Sequence, residues 1–287
     1  MLKPAALFAA FLALCAAVLA EDLPGEERPG DTYYLSRKQQ SEFSGDRSSG
    51  SGTDNNAIKE RVVGRHDGGV EVEIDLIDGT SAEDRARQWQ LPARILRLDN
   101  GSFRLLNAAE LEGRVDDWLE LGQLTREMCG KWIFTWNAFK IECDPQAVLA
   151  TAAAYDLRVS VHPGTQYVAQ VGSDPVMLRA DPSDPMLLVA ETPINPEAVR
   201  RERAQVDLVA AQIYGKPLEF EDALKAHAGD RIDGTITTRF RIDEAGRVLS
   251  RQQVVQLMLV EASGMKMEST VTTTIERQLL SRGKDPV

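Results

Sequence analysis

Residues 232–276 read IDGTITTRFRIDEAGRVLSRQQVVQLMLVEASGMKMESTVTTTIE, and this stretch decides the fold. Ile232, Gly234, Ile236, Thr238, Phe240 and Ile242 alternate with Asp233, Thr235, Thr237, Arg239 and Arg241, the two-residue period of a strand with one buried face. Asp243-Glu244-Ala245-Gly246 is a turn, Val248 to Val260 a second strand, and Ser263-Gly264 a second turn. Met265, Met267, Val271, Thr273 and Ile275 then oppose Lys266, Glu268, Thr270, Thr272 and Glu276. Three strands of roughly 35–45 Å exceed the usual strand length, and long antiparallel strands twist and coil. The expected fold is α+β: a long, curved, half-barrel-like antiparallel sheet, partly covered by several short helices, with one disulfide.

Upstream, Val70-Glu71-Val72-Glu73-Ile74-Asp75-Leu76 alternates strictly and predicts a strand with four aliphatics inside and three acids on the wet face. Thr32 to Phe43 and Ile58 to Arg65 read as strands, with Asp67-Gly68-Gly69 a tight turn. Between them, residues 44–56 are nearly all Ser, Gly, Asp and Asn, which predicts a flexible loop because such residues bury no apolar area to offset their ordering entropy. Asp99-Asn100-Gly101 between Ile95–Leu98 and Phe103–Leu106 predicts a type I′ hairpin.

Helix starts are marked by their first residues. Ser81 with Asp84 forms a capping box for a helix ending near Trp89, and Asn107 with Glu110 opens a helix carrying Leu111, Val115, Trp118 and Leu119. Asp144-Pro145 and Asn195-Pro196 place proline at a first helical position. Val199–Tyr214 suits either a helix or, over its second half, a strand; Glu219 to His227 reads as a short helix.

The chain of 287 residues opens with Lys3 and an uncharged run to Ala20, the pattern of a signal peptide cleaved after Ala20. The expected organisation is signal peptide 1–20, mobile leader 21–30, one α+β domain 31–280 and a C-terminal tail 281–287, with no transmembrane segment in the mature chain. The Ala-rich leader suits export to a bacterial periplasm. Cys129 and Cys143 are then expected to form a disulfide, closing a loop of about 15 residues at a gain of about 3 kcal/mol on the chain-entropy model.

A formal charge of −11 disfavours nucleic acid as a partner, since phosphate binding needs a basic stripe. His66, His162 and His227 fall on separate elements, and neither a nucleophile elbow nor a phosphate-cradling loop occurs. No catalytic motif, metal site or cofactor is expected. The chemistry-bearing candidates are apolar: Trp132, Phe134, Trp136 and Phe139 inside the disulfide loop, and Met258, Met265 and Met267 around the last turn. Core filling competes with ligand or partner contact at both clusters.

The leading expectation is an exported, non-enzymatic binding protein sheltering an apolar small molecule or lipid in the groove of the curved sheet. In architecture alone this resembles the periplasmic lipoprotein and lipid carriers with an open half-barrel, an analogy carried by no residue motif. The alternative is an interaction module docking an envelope protein through the aromatic loop 129–143; an envelope hydrolase ranks third.

Overall fold

The computed structural model describes residues 27–66, 68–134, 138–170 and 172–283. The expected signal peptide, most of the leader, Asp67, Trp136 and the end of the tail lie outside them. The strands are β1 (Thr32–Gly45), β2 (Ser49–His66), β3 (Gly69–Asp75), β4 (Ala93–Leu98), β5 (Phe103–Leu105), β6 (Trp132–Phe134), β7 (Ala138–Lys140), β8 (Gln166–Tyr167), β9 (Val176–Met177), β10 (Arg179–Asp181), β11 (Asp184–Pro193), β12 (Arg231–Ile242), β13 (Val248–Val260) and β14 (Lys266–Ser281). The helices are α1 (Ala82–Arg87), α2 (Ala108–Leu121), α3 (Val148–Tyr155), α4 (Pro196–Ile213) and α5 (Phe220–Ala226).

Ten strands make one antiparallel sheet in the order β10-β11-β12-β13-β14-β1-β2-β3-β4-β5, bent into a half-barrel that does not close. The meander at the C-terminus supplies its middle, and β14 then pairs with β1 over its whole length. Register fixes the two faces, because residues directly opposite across a ladder share one. Ile236, Val255, Val271 and Ser41 form one such row on the inner face, and Phe240, Arg251, Ile275 and Arg37 another. One core runs along that face, joining Val72, Ile74 and Ile95 to Leu188, Phe240 and Val248 through α2, α3 and the segment that follows α3. A smaller core of Ile194, Val199 and Ile236 lies under α4.

The helix signals mostly hold. Ser81 accepts from the Asp84 N–H, Asp144 from Gln146, and Asn195 from Glu197 and Ala198. The helical alternative is the one realised over Val199–Tyr214. Asn107 precedes α2 without capping it: its Oδ1 accepts from the Arg94 N–H at 2.9 Å and ties the helix to β4 instead.

Four expectations are corrected. Residues 49–56, predicted as a loop, form the first half of β2 and pair with β1 from Ser49↔Ser44 onward; only the turn at 46–48 is unpaired. Burial arguments fail there because ladder hydrogen bonds need no apolar side chains, and residues 49–56 stay exposed on both faces. In the Asp99–Gly101 turn only Gly101 has positive φ, so the type I′ geometry, which needs two such residues, is absent although the hairpin forms. The acidic face of β3 is not uniformly wet. The Glu71 side chain is only 5% exposed, with Arg94 Nε at 2.8 Å and His66 Nε2 at 2.7 Å. Burial would raise its carboxyl, but these hydrogen bonds outweigh burial and hold it below the ordinary range.

The described part of the leader supplies the fourth correction. Residues 27–30, assigned to a mobile leader, are pinned: Glu27 bonds Arg158 at 2.7 Å and Arg277 at 2.5 Å, and the Gly30 N–H reaches the Val62 carbonyl. From the tail, Arg282 and the Gly283 N–H close on Asp31, which is fully buried. Charge pairing and backbone bonds hold residues 27–30, where composition predicted mobility.

Candidate binding trough

Between α4 and the sheet runs a trough of about 390 Å³. Its floor is the inner face of two neighbouring strands: Val255, Leu257 and Leu259 from β13, and Met267, Ser269 and Val271 from β14. Leu257 stands opposite Ser269, and Leu259 opposite Met267. Its wall is α4, which contributes Val199, Glu202, Arg203, Val206 and Asp207. Leu259 and Val199 are buried, whereas Val255, Leu257, Met267 and Val271 remain half-buried and Val206 is 62% exposed. The helix covers one end of the apolar floor and leaves the rest open to solvent.

The wall is held by a charged latch. Arg203 bonds Asp230 at 2.7 Å and Glu261 at 2.8 Å, joining α4 to the start of β12 and to the β13–β14 turn. Asp230 is buried and also accepts from the Ala262 N–H. His227, at the end of α5, lies between Asp207 at 2.8 Å and Asp230 at 3.1 Å. Both of its ring nitrogens are therefore occupied by carboxylates, and neither is left to deprotonate a nucleophile. His66 is engaged with Glu71 on the other wing of the sheet, and His162 lies exposed in a loop. The three histidines do not converge. Among the described residues, no group of three or more His, Cys, Asp or Glu is placed to hold a metal ion.

The methionines divide between faces. Met267 lies on the trough floor; Met258 lies on the opposite face between Asp233 and Glu268, 46% exposed; Met265 sits in the turn before β14. The two-residue period of β13 separates them, since Met258 falls between the inward Leu257 and Leu259. The disulfide Cys129–Cys143 is present, and β6 and β7 form a hairpin within its loop. Ile133 packs on the main core, Trp132 is half-buried and Phe139 is 43% exposed. Phe134 pairs with Ala138 in the ladder. This hairpin rests against α4, so the aromatic loop and the trough share one helix.

A second polar feature was not anticipated. Glu60 points inward from β2 between Ile58 and Val62 and meets Arg158 and, at 2.9 Å, Arg277. Glu27 bonds the same two guanidiniums, and Arg277 stacks 3.4 Å from the centre of the Tyr33 ring. Burial would raise the Glu60 carboxyl, but the charges of Arg158 and Arg277 outweigh it and hold the group below the ordinary range. Two acids against two guanidiniums make the cluster neutral, a structural tie between the N-terminal segment, the sheet and the loop after α3. An acid at an inward strand position was the sequence signal for it.

No known family model matches the chain, and no curated protein does. Among solved structures it is similar to a chain from a study of lipid–protein interactions in lipovitellin, with 12% identity and a TM-score of 0.33 over 91% of this chain and 26% of that one. The chain thus spans about a quarter of that protein's length. It is also similar to a DUF1329 family protein from Desulfovibrio piger, with 8% identity and a TM-score of 0.17 over 89% of this chain and 88% of that one. At these scores the likenesses assign neither a family nor a ligand.

Proposed function

We propose that this is an exported, non-enzymatic binding protein that shelters an apolar ligand, a lipid or one of its hydrocarbon chains, in the trough beneath α4. The observation that carries the reading is the open apolar floor. Val255, Leu257, Met267 and Val271 stand in a concave face, half-buried, where neither helix nor loop covers them fully. Apolar side chains left in a concavity hold a favourable transfer free energy that a ligand can collect, at about 25 cal/mol per Å². The volume lies within the range of small-molecule sites, roughly 300–1,000 Å³. The disulfide supports an oxidising compartment such as the periplasm, in keeping with the leader sequence.

The test is uptake of an uncharged naphthylamine dye by the purified protein, with native mass spectrometry for co-purifying lipid. Leu257→Gln keeps a side chain of similar volume but puts an amide on the floor. It is expected to weaken dye binding about tenfold, equivalent to about 1.4 kcal/mol and in line with losing part of one leucine's burial. Absence of any dye uptake, or unchanged affinity in Leu257→Gln, rejects the trough as the site.

A further inference from the structure

We infer that the trough selects an amphiphile with a single hydrocarbon chain and a cationic head group; this rests on the reading of the trough as a binding site. The size sets the chain number, because about 390 Å³ sits at the small end of ligand sites and leaves room for one chain. The charges on the wall set the head. Besides Ser269, the polar lining consists of Glu202, Arg203 and Asp207. Glu202 is exposed and Asp207 partly so, whereas the one cation among them, Arg203, is already committed to Asp230 and Glu261.

Four carboxylates, Glu202, Asp207, Asp230 and Glu261, therefore lie on or beside this wall, and Arg203 is bonded to two of them. Arg200 and Arg201, the other α4 guanidiniums near it, share the single carboxylate of Glu197 at 3.7 and 3.5 Å, and Arg200 also reaches the Asp230 carbonyl, so they offset part of the excess without reversing it. His227 sits between Asp207 and Asp230, and even counted as a full positive charge it leaves the carboxylates of this wall in excess. The field of the whole chain, at −11, has the same sign. A ligand whose tail lies on the floor brings its head to this rim. There an anionic head is repelled, while a cationic one finds Glu202 and the second carboxylate oxygen of Asp207, whose Oδ2 is held by His227.

The experiment measures binding of three probes that share one tail, dodecyltrimethylammonium, dodecyl maltoside and dodecyl sulfate, each below its micelle concentration, by calorimetry at low and high salt. The cationic probe is expected to bind about tenfold or more tighter than the sulfate at low ionic strength, with the maltoside between them, and salt should erase most of the difference. Glu202→Lys should reduce the ratio of cationic to sulfate affinity several-fold at low salt. Equal or tighter binding of the sulfate, or a preference indifferent to salt, overturns the head-group inference and leaves the trough standing. Failure of the maltoside and both charged probes to bind overturns the trough reading itself.

Discussion

Replacing Glu60 by Gln tests the buried charge cluster and, through it, how the half-barrel is held to its ends. The Glu60 side chain is 4% exposed and faces two guanidiniums, themselves 13% and 15% exposed. Gln keeps the volume and one acceptor but removes the charge, leaving Arg158 and Arg277 with Glu27 as their shared acidic partner. Breaking a buried ion pair from one side costs about 3–5 kcal/mol. Because the amide retains an acceptor and Glu27 remains, the expected loss at neutral pH is about 2–4 kcal/mol.

The pH dependence supplies the sharper test. The Glu60 carboxyl is held below its unfolded value of 4.5, so its contribution is complete above that value and is lost as pH falls through the lower, folded one. The Gln variant has no such group to protonate. Its deficit relative to wild type should therefore be largest at neutral pH and shrink as the pH drops below about 4. Other depressed carboxylates, such as Asp31 and Glu71, are common to both proteins and cancel. Urea unfolding followed by tryptophan fluorescence across this range gives the difference directly. A deficit under about 1 kcal/mol at neutral pH, or one that stays constant into acid, refutes the reasoning.

Thr238 is fully buried on the inner face of β12, and its hydroxyl finds no hydrogen-bond partner among the described residues. Thr238→Val is therefore expected to stabilise the protein by about 1 kcal/mol, read as a higher urea midpoint with an unchanged slope; a lower midpoint would mean that the hydroxyl is satisfied. Arg203→Met removes the latch that ties α4 to Asp230 and Glu261. With Arg203 one-quarter exposed and Asp230 keeping its bonds to His227 and Ala262, the cost should be about 2 kcal/mol, seen as faster hydrogen exchange in α4 and β12; unaltered exchange in both would show that packing alone holds the helix.

Much of the half-barrel could be read locally. In β12, β13 and β14 each inward aliphatic recurs at the strand period, and Gly246 and Gly264 take the positive φ that their turns require. The starts of α1 and α4 were written in Ser81 and Asn195, whose side chains satisfy orphan N–H groups within a few residues of themselves. The candidate site was only partly readable. Met267 belongs to it, yet nothing in the run Val206–Tyr214 said which strands its helix would face, and Val206, Glu202 and Asp207 acquire meaning only opposite β13 and β14. Residues 49–56 misled for the same reason: their order comes from β1, not from their own side chains.

What the sequence determined by itself, then, was set by neighbours along the chain: strand period, the positions of the meander's turns, the caps at Ser81 and Asn195, and the alternation that puts Leu257 and Leu259 on one face and Met258 on the other. Tertiary structure alone decided which charges pair and which surface stays open. Glu60 meets Arg158 and Arg277 across 98 and 217 residues of chain, and Arg203 meets Glu261 across 58. Such partners are chosen by where the folded backbone brings charges out of water, where an unpaired one would be too costly to keep; no local pattern encodes that.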